Sequence, residues 1–480
     1  SAVETLTGGT GNDVITLYST DISSVNTIRV SGIETLVSGS GSDSITLGDS
    51  GNTMTLKYSG IYATGQPRDT LTGGSGIDNI TLINDKTSKG TNTLFVSSGI
   101  EKLTGFIGSF ETVTLGDDGN IMSISQIDSL IGGSGTDNIT LSTTSGESFK
   151  VWISDIESVT GGAGNDSIKL MTATPNLKII SDIEKIQGSD GADNITLGDG
   201  GNKISVSSIE TLTGGTGNDF VTLLDMVSNT ITVSNVETLQ GGIGNDVVTL
   251  GDGGNTITVY YVETLKGGTG TDKVTLGNLG YTITVSNIET MTGGTGNDVI
   301  TCGEGVGEVS GGLGTDTINL SSQTDDVTRV VFSTVYDGAA AGARTGYDTV
   351  NGFTSGKDKI VFTGNLNTLL DRNADSAAAV VSRSANAINV ATDEVCLVTS
   401  TTLTKAGLTS FNFSDVISAI GTLKNSSASI SLVVALVTKD QNTGLYVVTD
   451  TNGDSTVAND EIRLLGIVDH TLAVEDFVFG

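Results

Sequence analysis

Short runs of alternating apolar and polar residues fill the first two thirds of the chain, and clusters of turn residues separate them. Residues 241–266 divide into GGIGNDVVT, LGDGGNTIT and VYYVETLK. Each piece is a turn followed by a strand of period two, which sends Val248 and Leu250 to one side and Val247 and Thr249 to the other. Three such pieces recur about every 26 residues. Read as three sides of one rung, they predict an all-β fold: a right-handed parallel β-solenoid of about 26 residues per rung over residues 1–320. Apolar residues would stack down its axis, and each rung would bury its face against its neighbours. After residue 320 the repeat is lost. The runs RVVFSTV, SLVVALVT and GLYVVT, with one helical stretch, SDVISAIGTL, predict a smaller, mostly β domain over 321–480 that caps the solenoid.

The pieces share a register. Glycine-rich turns end at Asp13, Asp43, Asp78, Asp137, Asp166, Asp193, Asp219, Asp246, Asp272, Asp298 and Asp316. A degenerate copy, GFIGSFETVTL, puts Glu111 near the place of an Asp. From Asp193 to Asp298 the spacing is 26 or 27 residues, whereas Asp298 and Asp316 are 18 apart. Two pieces in place of three predict a flatter, two-sided close to the solenoid.

Composition fits a repeat architecture, with 66 Gly and 2 Pro among 480 residues and the Gly periodic. With 55 acidic and 23 basic residues the net charge is −32. That balance argues against nucleic acid and anionic membranes, both of which need a basic surface, and favours cations. No apolar run is long enough to span a bilayer. The start, SAVETLTGG, lacks the features of a Sec-type signal peptide and falls inside a repeat. Cys302 and Cys396 lie far apart and read as small core residues.

Turn chemistry alone would not hold an Asp at one fixed place. If successive rungs stack about 4.8 Å apart, the motif Asp form a column in which each adjacent pair repels by roughly 1 kcal/mol in water. A divalent cation between successive turns removes the conflict. Ligation by oxygen alone, without His or Cys, suits Ca²⁺, and ten or more ions would offset much of the charge.

GGTGNDVIT and its copies resemble the GGxGxDxUx nonapeptide of the RTX (repeats-in-toxin) calcium-binding β-roll family. YDTVNGFTSGKDKIVF and the closing LLGIVDHTLAVEDFVFG resemble the region that follows the roll in serralysin-type and related exported RTX proteins. The resemblance implies that the eleven motif Asp and carbonyls of the turn glycines, among them Gly214, Gly241, Gly267, Gly293 and Gly311, hold calcium. It implies type I secretion from a Gram-negative bacterium and folding outside the cell. The three-piece rung looks more like the solenoid of RTX-type S-layer proteins than the two-sided roll of the toxins.

Three further patterns recur. LGDSGN, LGDDGN and LGDGGN bring back Asp49, Asp117, Asp199 and Asp252, either as turn residues or as a second calcium column. The I/V-E-T-L segments align Glu4, Glu34, Glu101, Glu157, Glu184, Glu210, Glu237, Glu263 and Glu289. Outward Thr, such as Thr249, Thr275 and Thr301, suggest a ladder of the kind found on ice-binding solenoids, or simply good strand formers on a wet face. In the tail, DTNGDSTVANDE sets Asp450, Asn452, Asp454 and Glu461 at positions 1, 3, 5 and 12 of an EF-hand-like loop between two strands. For catalysis there is one His, His470, and neither HExxH nor GxSxG. Paired carboxylates of the glycosidase type stay open, but the periodic Asp already have a role.

The expected protein is therefore a non-enzymatic, secreted, calcium-stabilised structural protein that self-assembles at the cell surface, as an S-layer subunit or matrix filament. Its expected partners are Ca²⁺ and further copies of itself, with cell-surface polysaccharide a candidate. A bare N-terminal rung would dock on another subunit. The alternatives are the stalk of an adhesin, including the ice-binding type, and an accessory module of an exported enzyme.

Overall fold

The computed structural model describes residues 4–18, 25–39, 41–58, 69–84, 91–106, 110–171, 177, 179–224, 228–321, 326–340, 345–371, 379–427 and 429–479. The chain forms two compact units, residues 1–225 with 231–236, and residues 226–230 with 237–480. Both are built from parallel strands that pair between successive turns of a solenoid.

The expected all-β parallel solenoid is present, but a turn of it is not a 26-residue rung. In the second unit, Thr256 of strand Thr256–Tyr260 pairs with Lys273 of Lys273–Leu276, and Lys273 pairs with Thr290 of Thr290–Thr292. The intervening strands belong to a second sheet. There Val247–Leu250 pairs with Thr264–Lys266, which pairs with Thr282–Ser286 and then Val299–Cys302. Each of these strands thus pairs with the next but one. A turn has two strands and 17 to 20 residues, as in Thr256↔Lys273 and Thr264↔Thr284. The three-piece repeat therefore covers one and a half turns, and the roll is two-sided along its length. The first unit follows the same rule: Ser167 pairs with Lys185, and Lys185 with Ser205. Its longer intervals, such as Ser44↔Thr70, accommodate insertions.

Two inward rows meet between the sheets. Val248, Leu250, Val259, Leu265, Val274 and Val285 are at most 1 % exposed, whereas Val247, one residue along its strand, is 38 % exposed. Burying each such side chain stabilises the fold by about 1.5–3 kcal/mol. A turn has too few of these residues to stand alone, so stability comes from stacking. Successive repeats deliver their motif threonines to alternate sheets, where other pieces supply the neighbours: Thr249 lies beside Lys266, whereas Thr275 stands between Thr258 and Thr292, and Thr301 beside Thr284.

The sheets run on past residue 320. Thr317–Asn319 pairs with Asp348–Asn351, and Glu308–Ser310 with Arg329–Phe332. Asp348–Asn351 in turn pairs with Ile462–Val468, which begins the antiparallel set Ile462–Val468, Thr443–Asp450 and Ile430–Val437. The helix Ser414–Ile420 buries Val416 and Ile420 in a core shared with Leu432, Val434 and Leu436 of that sheet.

Candidate metal centre

The motif turns have a common construction, seen clearly at Asp272. The Gly268 amide donates to its Oδ2 at 3.0 Å, and Asn255 donates to its Oδ1 twice, from its backbone N at 2.8 Å and its Nδ2 at 2.9 Å. The Asp272 amide in turn donates to Glu289 Oε2 at 2.6 Å. Asn255 sits one turn before Asp272 and Glu289 one turn after. Asp78, Asp137 and Asp246 repeat the set with Asn52, Asn120 and Asn229 before them and Glu101, Glu157 and Glu263 after them. Asp219 accepts from Asn202 and Gly215. The motif carboxylate is buried, and N–H donors from its own turn and the preceding one satisfy it.

The first motif glycine serves close packing between turns. A Cβ on Gly267 would lie 1.7 Å from the carbonyl oxygen of Asn287, a residue at φ +51°. Gly214, Gly241 and Gly293 meet the carbonyls of Asn235, Tyr261 and Gly311 at 1.8 Å in the same way. At Gly311 the obstacle is Asp316 Oδ2, at 2.5 Å.

Because a repeat is one and a half turns, successive motif Asp fall on opposite edges. Each edge carries the three pieces in rotation, so a motif Asp has an Asn piece below it and a Glu piece above. The like-charge column, with an Asp every ~4.8 Å, is therefore not the arrangement along the regular roll, and the Glu do not form a column either. The like-charge contact that remains is between Asp and Glu, as at Asp193, whose carboxyl is raised by burial and, to a lesser degree, by Glu210. The asparagines at the heart of this network went unrecognised in the sequence, where the N of LGDxGN reads as turn chemistry.

Irregular repeats vary the theme. Asp43 accepts from Asn26, and its amide donates to Asp69. Asp166 accepts from Thr143 and Gly162, Asp193 from Ser189, and Asp13 from Gly9. Glu111 occupies a motif slot, its amide donating to Asp128.

The end of the roll is different. Here motif carboxylates follow one another on one edge. The Asp298 amide donates to Asp316 Oδ1 at 2.7 Å, and the Asp316 amide to Asp348 Oδ1 at 3.1 Å. The 3-10 turn Val335–Asp337 adds Asp337. Oxygens of Asp316, Asp337 and Asp348 lie within 4.8 Å of one another. Each residue is 1 % exposed, and Asp316 Oδ2, Asp337 Oδ1 and Asp348 Oδ2 have no hydrogen-bond partner among the described residues. Burial, reinforced by the neighbouring carboxylates, pushes Asp316 up to about 6 and Asp337 to about 7, and raises Asp348 as well.

The remaining candidates are held by local hydrogen bonds. Asp49 pairs with Arg29, and Asp117 accepts from the Ser134 amide. Asp199 and Asp252 accept from Thr216 and Thr269 one turn on, bonds that hold both carboxyls below their usual range. In the EF-hand-like loop, strands Thr443–Asp450 and Ile462–Val468 flank the turn. Asp450 accepts from Ser426, Gly453 and Ser455, and Glu461 from Thr451 and Ala458. Asn452 and Asp454 bond each other. Cys302 and Cys396 are buried and unpaired, and burial pushes both thiols up to about 12.

A family profile described as RTX calcium-binding nonapeptide repeat (4 copies) matches residues 1–19, 30–56, 154–169, 205–223, 233–258 and 284–326. The chain is an RTX repeat protein. No curated protein and no solved structure matches it. RTX nonapeptide repeats bind Ca²⁺, and the RTX roll offers that ion two kinds of surroundings. At a regular motif turn, an ion would share the carboxylate with three N–H donors. At Asp316, Asp337 and Asp348, one buried carboxylate oxygen of each has no donor among the described residues, which suits a hard cation. Among the described residues, no helix is long and apolar enough to cross a membrane.

Proposed function

We propose that this RTX protein is an exported, non-catalytic structural protein that calcium stabilises and that assembles with copies of itself at the cell surface, as an S-layer or matrix subunit. The observation that carries the reading is how the chain is spent. Its repeats encode turn-to-turn pairing, with each turn's carboxylates, amides and carbonyls engaged by the turns before and after it. Such a chain makes a rigid, repetitive surface suited to regular packing. The RTX repeats support export and calcium dependence, because a chain of net charge −32 meets its cation at millimolar levels outside the cell.

Negative-stain electron microscopy tests the assembly. The chain is stripped with chelator and returned to millimolar Ca²⁺, with Mg²⁺ as the control. Ordered sheets or filaments are expected with Ca²⁺ alone. Folded single particles in Ca²⁺ at all concentrations would overturn self-assembly and favour a stalk or an accessory module.

A further inference from the structure

We propose that Asp316, Asp337 and Asp348 together hold one Ca²⁺ that fastens the segment after the repeats to the last motif turn. The proposal concerns binding by a single chain and does not depend on the assembly above.

Asp316 closes the last GGLGTD turn. Asp337 and Asp348 lie beyond the residues matched by the repeat profile, and Asp337 comes from a 3-10 turn rather than a nonapeptide. The three carboxylates converge within 4.8 Å from three separate stretches of chain. Each offers a fully buried oxygen with no donor among the described residues. Among the described residues, none of the three forms a salt bridge, and the charged groups acting on them are one another and Asp298. Three like charges in one buried place oppose folding unless a cation enters. A divalent ion would offset two of the three negative charges that the fully ionised site carries and supply a partner for each of these oxygens. Ligation by oxygens alone favours Ca²⁺, and three carboxylates on separate segments suit its flexible shell better than the stricter octahedron of Mg²⁺.

Binding would tie together pieces that the sequence separates. Asp348 opens the strand Asp348–Asn351, which pairs with Thr317–Asn319 on one side and Ile462–Val468 on the other. Asp337 anchors the turn leading into this region, where Arg463 lies over the Tyr336 ring at 5.9 Å. The ion would therefore join the end of the roll to the antiparallel sheet of the tail.

The test is calorimetric titration of the chelated full chain with Ca²⁺, comparing wild type with Asp337→Asn and with Asp440→Asn as a control at an exposed turn of the tail. Asp337→Asn is expected to lose one bound Ca²⁺, or to weaken that site at least about tenfold, while Asp440→Asn matches wild type. An unchanged stoichiometry and affinity in a folded Asp337→Asn would overturn the proposal. If that variant fails to fold, Tb³⁺ luminescence serves instead, since Tyr336 and Tyr347 adjoin two of the ligands in the chain. Replacing both by Phe should cut tyrosine-sensitised Tb³⁺ emission at unchanged Ca²⁺ stoichiometry. Undiminished emission would overturn the assignment.

Discussion

Asn255 shows how much one side chain carries in this fold. Its Nδ2 donates both to Asp272 Oδ1 at 2.9 Å and to the Gly251 carbonyl at 2.8 Å, so it closes its own turn and grips the next. Asn255→Ala removes both bonds and leaves a buried carboxylate short of a donor. We expect a loss of about 1–3 kcal/mol, read from the urea midpoint at saturating Ca²⁺. Gly267→Ala acts on the same turn from the other side. Its new Cβ would collide with the Asn287 carbonyl, a backbone atom that cannot swing away. We expect a cost of at least about 2 kcal/mol by the same measurement. A change in midpoint below the scatter of replicate melts would show that the turn can relax around the methyl group. The motif Asp and Gly were legible in the sequence because they recur. The Asn was visible but given no role, because its partner lies 17 residues away, in the next turn.

At the scale of elements, strand positions were readable and the number of sides was not. A period-two run between Gly-rich turns marks a strand whether a turn has two sides or three, and Val248 and Leu250 point inward either way. Pieces of eight or nine residues do not reveal which strand pairs with which. The 26-residue period suggests a three-piece rung, whereas the register makes it a half-integral number of turns. This has a testable consequence. Deleting residues 267–292 removes one full repeat and preserves the order of pieces on each edge, so Asp298 would stand above Asn255. Deleting 267–284 removes about one turn but would set Asp298 above Glu263, carboxylate against carboxylate. The longer deletion is therefore expected to leave the more stable protein, with a higher melting temperature in Ca²⁺. The reverse order would contradict the two-sided register. The tail was harder to read for a related reason: its strands continue the sheets through contacts distant in sequence, such as Asp348↔Gly466.

For the whole molecule, two roles of calcium have to be separated. A chain of net charge −32 is stabilised by any cation that screens it, and screening is strong at 1 M salt, where the Debye length is about 3 Å. A bound ion acts differently. It stabilises the folded state by about 2.7 kcal/mol when its concentration is 100 times the dissociation constant. It also acts where salt screens poorly, as among the buried carboxylates of Asp316, Asp337 and Asp348. Chelation is therefore expected to lower the melting temperature, ~1 M NaCl to restore part of the loss, and millimolar Ca²⁺ in ordinary buffer to restore all of it. In Asp337→Asn, the gain from Ca²⁺ beyond that from NaCl should shrink, while the gain from NaCl stays the same. Complete recovery of wild type by NaCl alone would mean that calcium stabilises the roll only as diffuse countercharge. Recovery by Ca²⁺ alone would place its effect at discrete sites, and the variant would then show how much of it belongs to the end of the roll.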